Sequence, residues 1–216
     1  SVQPDQLVVV DMDGSVIEET RYRPTAELGF HLDLYRSTSA SAIAHAHPIA
    51  SVAVSTITEL LPPIHYDAAM VGGSVRVAPY AVFGSPELSE GVVAALFERT
   101  AALMRNHGSV AIGGNIETAC EHLGVVEWLS EVYLKAVSAG APAILSDDQL
   151  TEVVATAARL DEEQGSWIVN GQKIWTSLAH HSQWAFVLCR TEKGSTRHKG
   201  LSFLLVPLDQ AGIDIR

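Results

Sequence analysis

The run Ser41-Ala42-Ile43-Ala44-His45-Ala46-His47, closed by Pro48, carries two imidazoles two residues apart. A strand repeats every two residues, so Ile43, His45 and His47 share one face and the alanines take the other. Two ring nitrogens pointed the same way form part of a cage for a divalent metal, most often zinc. Asn106-His107-Gly108, at another strand end, offers a third ligand. The alternative is a pair of ordinary polar histidines, since a chain with nine histidines can produce this spacing by chance. With His45, His47 and His107 on a metal, a fourth position stays open for water or substrate. Such an ion can polarise a carbonyl and stabilise an enediolate beside it. Glu27 is the candidate base if its helix packs over the site, the alternative being a solvated glutamate favoured by the helix dipole. Tyr66, after His65, offers a phenol as proton donor. His31 is read as packing or hydrogen-bonding on the helix face, and His122, His180, His181 and His198 as structural or solvated.

The elements that must hold these groups are readable from spacing and caps. Leu7–Val10 predicts a strand, Asp11-Met12-Asp13-Gly14 a turn, and Ser15–Glu19 the returning strand. Pro24-Thr25 opens a helix with Leu28, Leu32 and Tyr35 at helical spacing, which puts Glu27 and His31 on one side. After the histidine strand, 49–58 reads as helix and 74–78 as a short strand. Ser85-Pro86 pairs a capping hydroxyl with proline at the first helical position, predicting a helix to about Glu98. Strands at 101–105 and 109–112 flank His107. Asn115 caps a long helix ending near Gly140, with Ala119, Leu123, Val126, Leu129, Val132 and Ala136 as its apolar stripe. Ser146-Asp147-Asp148-Gln149 is a capping box for a last helix to about Leu160. No Gly-x-Gly-x-x-Gly fingerprint occurs among these alternating strands and helices.

Composition bounds the rest. The chain of 216 residues, 47% hydrophobic and 18% charged, can bury a core as one or two domains. A formal charge of -11 argues against nonspecific nucleic-acid binding, which needs basic surface. No uninterrupted apolar run approaches the roughly 18 residues that suggest a membrane span. The first residues have neither the basic start nor the apolar stretch of a signal peptide. Cys120 and Cys189 make no disulfide framework, so a reducing cytoplasm is the default location. Residues 1–160 hold 8 basic and 19 acidic residues, a net of -11, whereas 161–216 hold 6 of each. Trp167, Trp175 and Trp184 also crowd into that last stretch. The charge step predicts a domain change near Leu160.

Five ordered segments carry a resemblance: Pro24-Thr25-Ala26-Glu27, His45-Ala46-His47, Pro63-Ile64-His65-Tyr66, Ala78-Pro79-Tyr80-Ala81-Val82-Phe83-Gly84 and Asn106-His107-Gly108. Together they make residues 5–160 resemble the class II aldolase/adducin family, and within it the fuculose-phosphate aldolases. The resemblance implies a three-layer α/β/α sandwich around a mostly antiparallel sheet, assembled as a homo-oligomer, usually a tetramer, with active sites between subunits. It also implies Zn2+ on His45, His47 and His107, with Glu27 as acid/base. Tyr66 matches a tyrosine that reaches a neighbouring subunit's site, and Thr25 a phosphate-contacting hydroxyl. The implied reaction cleaves a ketose phosphate, such as fuculose 1-phosphate, into dihydroxyacetone phosphate and an aldehyde. Pentulose-phosphate 4-epimerases share the histidines but usually carry aspartate at the acid/base position, so Glu27 favours the aldolase. Two departures stand against full activity and keep a catalytically inactive fusion as the other reading. The family's Gly-Asn-x-Ser phosphate segment is not found in this sequence, and Ala26 replaces a common second phosphate-binding serine.

The last residues are of another kind. Trp167-Ile168-Val169, Asn170-Gly171 and Lys173-Ile174-Trp175 predict a two-residue hairpin, because Asn-Gly supplies the positive backbone dihedrals of a tight turn. Two further strands are expected at 184–190 and 201–206, giving a small all-β fragment. The stretch Gly165 to Ser177, with Gly200 to Pro207, resembles the central β-domain of acyl-CoA dehydrogenases. That resemblance implies flavin (FAD) contacts at Trp175, Thr176 and Ser177. It covers only 161–216, so neither bound flavin nor dehydrogenase activity is expected.

Overall fold

A computed structural model describes residue 3, residues 6–163, and then 183–191, 195–196, 200–208 and 213. The chain divides into two compact units, Ser1–Leu160 and Asp161–Arg216. The first unit is built from α1 (Leu28–Ser37), β1 (Ala42–Ala46), α2 (Ile49–Ile57), β2 (Leu60–Leu61), a 3-10 helix (Tyr66–Val71), β3 (Val75–Ala78), α3 (Pro86–Ala95), β4 (Ala101–Met104), β5 (Gly108–Gly113), α4 (Ile116–Ala139) and α5 (Asp147–Glu163). Its five strands form one sheet in the order β1-β5-β4-β3-β2. Every neighbouring pair is antiparallel except β3 and β4, which run parallel because α3 carries the chain across between them.

Strand alternation sorts the core into two layers. Val75, Val77, Ala101, Leu103 and Ala111 pack with Val54 of α2 and Val126 and Leu129 of α4. Ile43, Ala78, Ala102, Met104 and Val110 face the other way, onto Phe30 and Leu34 of α1 and Leu88 and Val92 of α3. The result is the three-layer α/β/α sandwich. His45 alternates in register with Ile43, so it lies on the α1 side of the sheet.

Local chemistry sets the element ends. Ser85 Oγ accepts the Leu88 N–H and Pro86 holds the first position of α3. Asn115 Oδ1 accepts the Thr118 N–H at 2.7 Å and opens α4. At α5 the box is reciprocal: Ser146 Oγ accepts from Gln149 N–H, and Gln149 Oε1 accepts from Ser146 N–H. Leu150, on the first turn of α5, is buried in the core of the first unit, and the Leu145 N–H donates to the Pro63 carbonyl.

Some expected elements differ. The first hairpin reduces to a single bridge, Val10 to Val16. Asp11 Oδ1 accepts the N–H groups of Asp13 and Ser15, and this tight turn takes the bonds that longer strands would have used. Helix α1 begins at Leu28, not at Pro24, because Thr25 folds a turn whose carbonyl accepts the Leu28 N–H. Helix α3 stops at Ala95 instead of Glu98, where the left-handed backbone of Glu98 (φ 55) breaks the repeat. Helix α5 runs three residues past Leu160. In the second unit, β6 (Trp184–Arg190) pairs antiparallel with β7 (Leu201–Pro207), as expected. The expected hairpin around Asn170-Gly171 lies outside the described residues. Among the described residues, no helix is long and apolar enough to cross a membrane.

Replacing Asn115 with alanine removes the side-chain acceptor that caps α4 and should cost about 1 kcal/mol. A lowered urea midpoint with an unchanged slope is the expected result.

Candidate metal centre

His45 leaves the sheet near the end of β1, opposite Val110 of β5. Its Nδ1 lies 2.9 Å from the Ser109 carbonyl oxygen. A carbonyl can only accept, so Nδ1 carries the proton and Nε2 presents its lone pair outward. Such a partner behind the ring is the usual means of fixing a metal-binding tautomer. The Phe30 ring meets His45 edge-on at 5.3 Å between centroids and closes the apolar side.

His47 lies two residues on, with Nε2 3.0 Å from His45 Nε2. His107 comes from the turn between β4 and β5. That turn needs Asn106 in the left-handed region (φ 56), a conformation asparagine tolerates. The Asn106 N–H donates to Ser55 Oγ of α2 at 3.1 Å, which anchors the turn from below. Glu27 stands immediately before α1. Its Oε2 lies 3.3 Å from His45 Nε2 and its Oε1 2.8 Å from His107 Nε2. The four side chains Glu27, His45, His47 and His107 each offer a ligand atom within 4.8 Å of the others. The Glu27 side chain is 15% exposed and that of His45 9%, whereas His47 is exposed at the mouth.

These residues fit a divalent cation. Glu27 Oε1 is buried and makes no hydrogen bond, although His107 Nε2 is close by. A desolvated carboxylate oxygen without an N–H or O–H partner is costly, and a cation among the four atoms would satisfy it. Three imidazoles and one carboxylate are a donor set for zinc or a neighbouring transition metal. Glu27, expected as a base beside an open fourth position, brings a carboxylate oxygen into the same group of ligand atoms.

Burial, more than any neighbour, lowers the pKa of His45 and of His107 and takes His31 down to about 4. The nearby Glu27 carboxylate opposes burial in each case. Neutral imidazoles are the form that binds a metal, so little proton release is needed near neutrality. His31 itself stacks on Phe30 at 4.3 Å, and its ring lies 6.3 Å from that of His45.

The remaining expected site residues lie outside this cluster. Thr25 Oγ1 accepts the Glu27 N–H at 3.2 Å and the residue is exposed one turn ahead of α1. Tyr66, 54% exposed, opens the 3-10 helix with its ring against His65. Trp175, Thr176 and Ser177 lie outside the described residues. Several supporting residues are invisible to spacing alone. Ser55, Ser109 and Phe30 act through space. Gly108 is demanded by proximity, because a Cβ there would lie 2.3 Å from the Ala46 carbonyl oxygen and 2.8 Å from His47 Cδ2. Gly84 (φ +75) similarly brings its loop against the Ala26 carbonyl, 2.6 Å from where a Cβ would sit, beside Glu27.

A sandwich of this topology with three histidines and a glutamate converging at one sheet edge is the architecture of the class II aldolases. A family model described as the Class II Aldolase and Adducin N-terminal domain matches residues 1–134, and the chain belongs to this family. It is 38% identical over 149 residues to an L-fuculose phosphate aldolase of Escherichia coli, covering 68% of this chain and 69% of that protein. A solved L-fuculose 1-phosphate aldolase superposes with a TM-score of 0.68 at 33% identity, over 73% of this chain and 74% of that one. The tail is separate in kind: an acyl-CoA dehydrogenase middle-domain model matches residues 145–216. Over 63 residues the chain is 71% identical to acyl-CoA dehydrogenase IpdE1 of Mycobacterium tuberculosis, which is 29% of this chain but only 16% of that protein's length. The start of that model match overlaps Leu145 and Leu150, which pack in the aldolase core.

Two outcomes follow from this geometry. Gly108→Ala forces β1 and β5 apart at His47 and should abolish stoichiometric metal uptake, measured by elemental analysis, while circular dichroism stays near wild type. The lowered histidine pKa values predict an acid-labile apoprotein. Protons bind the unfolded histidines near 6.5 but the folded ones only at lower pH, so stability is full above 6.5 and lost as pH falls through the lowered values. Titration of imidazole C–H resonances should place His31 near 4 instead of 6.5.

Proposed function

We propose that this chain is a zinc-dependent aldolase that cleaves a ketose phosphate, such as fuculose 1-phosphate, into dihydroxyacetone phosphate and an aldehyde. The observation that carries this reading is the convergence of Glu27, His45, His47 and His107 within 4.8 Å on the family's fold. His45, His47 and His107 hold the metal. A bound Zn2+ would supply Lewis-acid stabilisation of the negative charge that develops on the substrate oxygens during cleavage.

The chain's own groups do the rest. Glu27 holds and moves the proton at its carboxylate, a role supported by an oxygen that is buried without a hydrogen bond and faces the ligand nitrogens. The Ser109 carbonyl and the Phe30 ring keep His45 in one tautomer and one orientation. Thr25 is the phosphate contact: its Oγ1 accepts from Glu27 N–H, which leaves its own proton to donate to a phosphate oxygen. That donor sits near the amino terminus of α1, where backbone N–H groups and the helix dipole favour an anion. Tyr66, exposed and remote from the cluster in sequence, is offered to the site of a second copy in a homo-oligomer. Residues 1–160 form the catalytic domain and 161–216 a β appendage without an activity of its own.

Elemental analysis of the purified chain should find about one zinc per chain, and His47→Ala should lose it. With the metal in place, dihydroxyacetone phosphate release from L-fuculose 1-phosphate should be detectable by coupled reduction. Glu27→Gln should lower kcat by about 10²–10⁴-fold. Appearance of an epimeric pentulose phosphate with no dihydroxyacetone phosphate would instead assign a 4-epimerase, and zinc binding without turnover on any sugar phosphate an inactive member.

A further inference from the structure

We propose that Glu127, on α4, is a positioning residue for the metal centre: it clamps the amino terminus of α2 and through that helix places His47 and His107. The inference rests on the reading that the three histidines hold a metal.

Helix α2 follows His47 after one residue, Pro48, which stands at the N-cap position and provides no side-chain hydrogen bond. The first N–H groups of α2 therefore need acceptors from elsewhere. Glu127 supplies both. Its Oε1 accepts the Ala50 N–H at 2.9 Å, and its Oε2 accepts the Ser51 N–H and the Ser51 hydroxyl, each at 2.7 Å. These bonds span 77 and 76 residues of sequence, and the buried faces of Ala50 and Ser51 leave water little room to replace them. A negative charge at a helix amino terminus also meets the favourable end of the dipole.

The same helix reaches the other ligand segment one turn later. Ser55, fully buried, donates its hydroxyl to the Val52 carbonyl and accepts the Asn106 N–H. Helix α2 thus meets two segments of the ligand set: the residue after His47 and the residue before His107. His45 needs no such strut, because strand pairing and the Ser109 carbonyl already hold it. Without the Glu127 clamp, the first turn of α2 loses its fixed acceptors while Val54 still holds the rest of the helix in the core. The two ligand segments that the helix meets then lose part of their positioning. Glu127 touches neither the ligand atoms nor the space between them, so its effect is on geometry.

The test uses the full chain and the metals alone. Zinc affinity is measured by competition with a chromophoric chelator, and site geometry by the visible bands of the Co2+-substituted protein. Glu127→Ala should weaken zinc binding about 10- to 100-fold and shift or weaken the Co2+ bands. Glu127→Gln, which keeps the side-chain shape and one carbonyl acceptor, should recover most of the affinity and the wild-type band positions. A folded Glu127→Ala chain with wild-type affinity and an unchanged spectrum overturns the proposal, even if its thermal midpoint falls. Should that variant fail to fold, Ser51→Ala decides: a smaller loss in the same direction supports the clamp, and wild-type affinity overturns it. A wild-type chain that takes up no zinc overturns the histidine centre itself, and is distinguished by failing before any substitution is made.

Discussion

The pairing of β1 with β5 in a single register is the constraint on which the rest depends. It sets Ala46 against Ser109 and His45 against Val110, so one carbonyl reaches back to His45 Nδ1 while the next residue, Gly108, slides past His47. A slip of one residue would turn both imidazoles to the α4 face, among Ala42, Ala44 and Ala119. The sheet is held to its register by small alanines on that face and by Ile43 against Phe30 and Val110 on the other. Packing energy on both faces is therefore spent on where two ring nitrogens point. The other two members of the cluster, His107 and Glu27, arrive from a turn and from a helix entry, elements that bend more easily than a strand pair.

The electrostatics of the centre follow from this placement. Three imidazoles crowded on one side of a sheet would repel one another if protonated, and at His45 and His107 burial removes the solvent that would favour the charged form. The carboxylate of Glu27 works against that trend at His31, His45 and His107 alike. His45 and His107, held toward their neutral forms by burial and facing one desolvated carboxylate, have little to gain from protons and much from a small divalent ion. The net charge of the first 160 residues is strongly negative, yet the N–H groups at the entry to α1 make a local field of the opposite sense that overall charge does not report.

Much of this was legible in the amino-acid sequence, and for identifiable reasons. Where a residue acts on its immediate neighbours, its type discloses its place. Asn115 and the pair Ser146 and Gln149 cap their helices as their spacing requires, Pro86 opens α3, and the alternation around His45 and His47 gives both strand and face. Residue chemistry offers His107 as a third ligand and Glu27 as a base, and the family resemblance ties them to that strand, since nothing local joins residues 27, 45 and 107. What stayed hidden acts across space or competes with a local pattern. The strand expected at 7–10 lost to the Asp11 turn, the two-residue β2 is too short to leave a periodic signal, and the 3-10 helix after His65 offers no apolar stripe. Ser55, Phe30 and Glu127 have no sequence signature, because their partners lie on other elements.

Leu150 gives α5 an asymmetry with a consequence for how such chains can be assembled. Its first turn is fastened, by a reciprocal cap at Ser146 and by a leucine sunk into a core that is otherwise complete. Among the residues whose side chains are described, its later turns add none to that core. A helix fastened at its beginning is a tolerant place for further sequence to follow, since the anchor itself lies before the point where the chain continues. The change of kind in the sequence falls along this helix: the dehydrogenase middle-domain match begins at residue 145, and the 71% identity to a dehydrogenase extends over 63 residues of the chain.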